Sequence, residues 1–163
     1  MSATNTVLEL GGVLGALNLE GGVNTDPRKV EAMLNWPKPT TIRALGGFLG
    51  FTGYYRRFLR DYGVISKPLT NLLKKGNFHW GQEAKVAFEK LKVAMSKVPM
   101  LGLPDFNKLF VLETDACGVG VGAVLMQDGK PLAFLSQALS PRHLGLSIYE
   151  KEILVVLMVM EKW

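Results

Sequence analysis

Phe110-Val-Leu-Glu-Thr-Asp-Ala-Cys117, followed by Gly118-Val-Gly-Val-Gly-Ala-Val-Leu-Met126, decides the fold. The first run is apolar and β-favouring, so it predicts a strand, Leu109 to Glu113, that delivers the carboxylate of Asp115 to its end. The second predicts its hairpin partner, Val119 to Gln127. Asp128-Gly129 then supplies the positive-φ pair of a tight hairpin turn, which predicts a third strand, Lys130 to Gln137, and makes Asp128 a turn residue rather than a metal ligand. Beyond it, Ser147-Ile-Tyr-Glu-Lys-Glu-Ile-Leu154 opens an amphipathic helix with Glu152 in its first turns.

A strand-end aspartate and a helical glutamate are donors suited to a hard divalent cation, which keeps several waters and takes one or two carboxylates. Two-metal phosphodiester hydrolysis asks for more, roughly three or four acids around ions about 3.5–4 Å apart. Spacing alone leaves each acid an ordinary alternative: Glu152 as a solvated helical residue beside a lysine, Asp115 as a turn residue. His79 and His143 have no ligand-spaced partners, and no nucleophile–base arrangement can be built from them.

Upstream, Gln82 to Lys97 reads as an amphipathic helix with Val86, Phe88, Leu91 and Met95 on its apolar side and Pro99 after its end. Asp26-Pro27 caps and starts another, with Val30, Met33 and Leu34 in helical spacing and Pro37 and Pro39 stopping it. Thr40-Thr41 caps a third from Ile42 to about Leu49, Tyr54 to Tyr62 continues the periodicity through Phe58 and Leu59, and Ile65 to Leu73 gives a short fourth. This region is basic: Arg28 to Lys75 holds ten Lys or Arg against Glu31 and Asp61, whereas Asp105 to Trp163 holds seven acids against five bases. Tyr55, Arg56, Arg57 and Arg60 therefore have two readings, as contacts to nucleic-acid phosphates and sugars or as core (Tyr55) with a solvated basic face.

The 163 residues, 48% hydrophobic, suffice for a core. A single cysteine excludes an intramolecular disulfide and reads as a small buried hydrophobe. No apolar run is long enough to cross a membrane as a helix. The apolar, Gly-rich Thr6 to Val23 stretch carries Glu9 and Glu20 without Lys or Arg, unlike a signal or transit peptide. It predicts a short hairpin or disorder, and the expected location is intracellular.

Thr114-Asp-Ala-Cys117, Gly122-Ala-Val-Leu-Met-Gln127, Phe134-Leu-Ser-Gln-Ala-Leu-Ser140 and Tyr149-Glu-Lys-Glu-Ile-Leu154 together resemble the start of the ribonuclease H domain in gypsy-type LTR retrotransposon polyproteins. Thr25 to Pro39 and Leu45 to Phe58 look like the thumb that precedes it, and Phe78-His-Trp80, Ala87 to Lys92 and Pro99 to Asp105 look like the passage between them. The resemblance covers about residues 21 to 163. It implies an α+β chain: a small helical thumb-like bundle, then a truncated ribonuclease H-like unit of three antiparallel strands plus one helix. The implied divisions are 1–24 without assignment, 25–76 thumb-like, 77–104 connector helix and linker, and 105–163 the N-terminal half of the ribonuclease H-like domain.

The resemblance also implies that Asp115 and Glu152 are the first two catalytic, metal-holding carboxylates, with Mg2+ or Mn2+ as cofactor. An RNA–DNA hybrid or other duplex and the rest of the Pol polyprotein are the implied partners. Cys117 stands where the family pattern has Ser, Gly46 where Arg is common, and no Tyr-x-Asp-Asp segment occurs. Without that segment DNA synthesis is not expected, and because the family's third and fourth ribonuclease H carboxylates are expected beyond Trp163, hydrolysis of the RNA strand is expected to be reduced or lost in this chain. The alternatives are a non-catalytic nucleic-acid-binding remnant or a structural relic that self-associates through an open sheet edge.

Overall fold

In the computed structural model, which describes residues 16–19 and 22–163, a short antiparallel hairpin of β1 (Ala16–Leu19) and β2 (Gly22–Thr25) precedes helix α1 (Pro27–Leu34). The sequence expectations for residues 1–15, 20 and 21 lie outside the described residues. Asp26 caps α1 by accepting the Arg28 N–H at 2.9 Å, as the Asp-Pro signal predicts. Thr41 caps α2 (Ile42–Tyr54) by accepting from the Ala44 N–H at 3.1 Å.

The next segment departs from the sequence reading. α2 runs straight through its glycines to Tyr54, but the helical periodicity does not continue to Tyr62. Arg56–Phe58 forms a 3-10 turn, Leu59 is extended at φ −112° and ψ 117°, and Asp61 is left-handed at φ 60°. Phe58 and Leu59 are both buried at the break, so the chain turns there without taking either side chain out of the core. α3 (Tyr62–Leu72) therefore starts three residues earlier than expected, with Pro68 inside it. α4 (Gln82–Ser96) follows.

These four helices share one core. Met33, Leu45, Phe48, Phe58, Leu69 and Leu91 are fully buried, and Phe48 lies with its ring centroid 4.7 Å from that of Phe88 on α4. The connector helix is thus a full member of the bundle. Thr52, also buried, spends its hydroxyl on the Phe48 carbonyl at 3.1 Å and meets the Tyr62 hydroxyl at 3.0 Å, tying α2 to α3.

β3 (Val111–Ala116), β4 (Gly120–Gln127) and β5 (Lys130–Ala138) form an antiparallel sheet in that order. Asp128 and Gly129 take φ of 51° and 73° in the turn between the last two, as the hairpin signal requires. Lys108 pairs with the Asp128 carboxylate at 2.7 Å, so Asp128 is a turn residue. A one-turn helix α5 (Pro141–Leu144) leads to α6 (Ile148–Lys162), which buries Val155 and Val159 against Val121, Ala123 and Leu139. Ser147 and Glu150 close a capping box at its start.

Bundle and sheet are docked closely. Phe134 of β5 packs on the helical core, and the Gly63 N–H donates to Ser136 Oγ at 2.8 Å. A Cβ at Gly63 would lie 2.7 Å from the Ser136 carbonyl oxygen, and one at Gly120 would collide with Val64 Cγ2. Glycine at both positions lets α3 approach the β4–β5 hairpin this near.

Candidate functional site

Asp115 is the fifth residue of β3 and pairs in register with Gly122, with no bulge between the two strands. Side chains alternate along a strand, so Glu113 and Asp115 share one face while Thr114 and Ala116 share the other. Ala116 packs on the second core, beneath α6. Asp115 consequently faces the helical bundle.

There it meets Arg60. The guanidinium Nη2 lies 3.9 Å from Asp115 Oδ2, with the two side chains 68% and 71% exposed. Arg60 is delivered by the break in the helical run, between buried Leu59 and left-handed Asp61. Asp61 stands above Gly122, its Oδ1 3.8 Å from where a Cβ would be. Arg60, Asp61, Glu113, Asp115, Gly122 and Phe134 line a cleft of about 370 Å³ between bundle and sheet. Its charged lining is three carboxylates against one guanidinium, an environment that attracts cations and repels phosphate.

Glu152 is exposed on α6, whose buried positions are Lys151, Val155 and Val159. Because α6 covers the Thr114 and Ala116 face, Asp115 and the helix carrying Glu152 lie on opposite sides of the sheet. Lys151, despite its charge, is buried and donates to the Leu144 carbonyl at 3.1 Å, the last residue of α5. Among the described residues, no group of three or more His, Cys, Asp or Glu is arranged to hold a metal ion. Oxygen donors suit Mg2+ or Mn2+ chemically, but the donor set as placed does not fit such a centre: the cation beside Asp115 is Arg60.

The basic face is also partly redrawn. Tyr55, a candidate nucleic-acid contact, is only 2% exposed and stacks among Phe51, Tyr54 and Phe58, so it belongs to the core. Burial pushes its hydroxyl pKa up. Arg56 and Arg60 are exposed, and Arg57 is half-buried with its guanidinium 5.1 Å from the Phe58 ring centre. All three lie in or just after the 3-10 turn, on the side of the bundle that packs on β5. Sequence reasoning missed Glu113, Asp61, Gly63 and Ser136 as parts of this junction. The signal was Arg60-Asp61-Tyr62-Gly63: aspartate tolerates left-handed backbone, and glycine permits close approach.

Residues 80–163 match the family model described as an RNase H-like domain found in reverse transcriptase. The chain is 43% identical over 145 residues to the retrovirus-related Pol polyprotein from transposon 297 of Drosophila melanogaster, covering 88% of this chain and 14% of that polyprotein. It is 32% identical over 162 residues to the corresponding polyprotein from transposon gypsy of the same organism, covering 91% and 16%. The chain thus spans under a fifth of either relative. Among solved structures, the foamy viral protease-reverse transcriptase in complex with an RNA/DNA hybrid superposes with a TM-score of 0.84 at 21% identity, over 91% of this chain and 21% of that one. The same viral protein in complex with dsDNA gives 0.80 at 20% identity, over 91% and 33%. The shared fold and the family match agree with the motifs of β3, β4 and α6, and the chain belongs to the family of RNase H-like domains found in reverse transcriptase.

Proposed function

We propose that this chain is a duplex-gripping segment of a Pol polyprotein reverse transcriptase, in which a thumb-like bundle, residues 25–76, is fixed against the start of a ribonuclease H-like domain, residues 105–163. The connector region, 77–104, contributes α4 to the bundle. The parent reaction is metal-dependent hydrolysis of the RNA strand of an RNA–DNA hybrid; Asp115 and Glu152 match the family's first two acids for it, but on opposite sides of the sheet they do not together hold a metal. The observation that carries the reading is the docked junction, which holds Arg60 beside the strand that bears Asp115 and the turn of Arg56 and Arg57 against β5.

In the arrangement described, Asp115 pairs with Arg60 and lies across the sheet from α6, so residues 1–163 alone grip the hybrid without cleaving it. What these residues do is bind and orient: the three arginines take backbone phosphates, and the Gly63–Ser136 contact keeps them in fixed relation to β3. Fluorescence anisotropy of a labelled RNA–DNA hybrid tests this. Three phosphate contacts predict a log–log salt slope of about −2.7, roughly a fortyfold loss of affinity from about 50 to 200 mM salt. Replacing all three arginines by Gln should flatten that slope towards zero, and an unchanged slope would place the grip elsewhere.

A further inference from the structure

We infer that the Arg60–Asp115 pair is an electrostatic latch: in the free chain the sheet carboxylate sequesters a guanidinium that belongs to the duplex, and phosphate binding releases it. The inference rests on the gripping role proposed for Arg60 and adds a competitor for that residue which nothing else in the sequence indicates.

Three observations carry it. First, the pair spans the junction, joining the turn after the 3-10 segment to β3, with Nη2 and Oδ2 at 3.9 Å and both side chains about 70% exposed. An ion pair that open to water is worth at most about 1 kcal/mol, so a phosphate displaces it readily. Second, only the side chain is free to move. The Arg60 backbone is pinned between buried Leu59 and left-handed Asp61, and three residues after Arg60 the Gly63 N–H is hydrogen-bonded to Ser136. Release therefore swings the guanidinium without undocking the bundle. Third, Asp61 and Glu113 line the same cleft. Phosphate cannot profitably enter among three carboxylates, so Arg60 must leave the cleft to meet it, and it leaves Asp115 without its cation. Duplex binding and the unpairing of Asp115 are in this way one event.

The test is a double-substitution cycle on residues 1–163, reading affinity for a short RNA–DNA hybrid by anisotropy at fixed low salt. Arg60→Gln should weaken binding. Asp115→Asn should tighten it by about 1.5- to 5-fold, the range an exposed pair allows, by freeing Arg60. In the Arg60→Gln background the Asp115→Asn gain should fall to that of Glu113→Gln. Glu113 shares the Asp115 face of β3 and forms no ion pair among the described residues, so its substitution measures the general benefit of removing one negative charge near a polyanion. Arg60→Lys, which keeps the charge, should retain part of the coupling. All these side chains are exposed, and circular dichroism checks that each variant folds.

An Asp115→Asn gain of the same size with and without Arg60, or no gain at all, overturns the latch while leaving the gripping role intact. Failure of every variant, the parent chain included, to bind the hybrid overturns the gripping role itself.

Discussion

Substituting Gly63 by Ala asks whether bundle and sheet are one packed unit or two neighbours in loose contact. The new Cβ would sit 2.7 Å from the Ser136 carbonyl oxygen and 2.9 Å from Gln137 Cα, both backbone atoms, whereas ordinary contact begins at 3.4 Å. α3 and β5 must therefore separate by about 0.7 Å, which also stretches the 2.8 Å bond from the Gly63 N–H to Ser136 Oγ. Overpacking of this kind costs about 1–3 kcal/mol. Working against it, Ala is the better helix former by up to about 1 kcal/mol, and Gly63 is the second residue of α3. The net expectation is a loss of about 1–2 kcal/mol in urea unfolding, read by circular dichroism and tryptophan fluorescence. Gly47→Ala is the matched control, since it lies within α2 with nothing inside 4 Å of its Cβ position, and it should stabilise by up to about 1 kcal/mol. Opposite signs for the two variants support the docked junction. If Gly63→Ala stabilises as Gly47→Ala does, the junction does not hold the two parts together.

Phe48→Ala should cost about 3–5 kcal/mol in the same unfolding assay, because the fully buried ring bridges Trp36 and Phe88 at the centre of the bundle. The capping box of α6 should make that helix's start sensitive to acid. The Ser147 N–H and hydroxyl donate to Glu150 at 2.7 and 2.8 Å and hold its carboxyl below the usual glutamate range. A lowered carboxylate pKa contributes stability above its unfolded value, about 4.3, and loses it as pH falls through the folded one. Protection factors for amide exchange at Glu150 and Lys151, taken relative to the intrinsic rate at each pH, should therefore fall over that acid window, and Ser147→Ala should remove most of that change.

The ribonuclease H-like hairpins were legible because their signals are local. Asp128-Gly129 fixes the β4–β5 turn, alternation fixes the faces of β3, and Asp26, Thr41 and Ser147 mark helix starts by side chains that bond within three residues. The junction was not legible, because it depends on contacts far apart in the chain. Nothing near Arg60 announces Asp115, and nothing near Gly63 announces Ser136, 73 residues on. The break at Leu59 to Asp61 lies within an apolar periodicity that Phe58 and Leu59 continue; the tolerance of Asp61 for left-handed backbone was the available clue. Tyr55 misled for a related reason. Its position beside two arginines suggested a surface cluster, but it is the helical partner of Phe51 and faces inward. Asp115 and Glu152 were singled out by motif resemblance, and the faces they occupy follow only from the register of β3 and the packing of α6.

The most direct test of the account is to incubate residues 1–163 with an end-labelled RNA–DNA hybrid in Mg2+ or Mn2+ and resolve bound, free and cleaved strands together. The account predicts a shifted complex with intact RNA, retained in Asp115→Asn and lost when Arg56, Arg57 and Arg60 are replaced by Gln. Metal-dependent cleavage abolished by Asp115→Asn would contradict it.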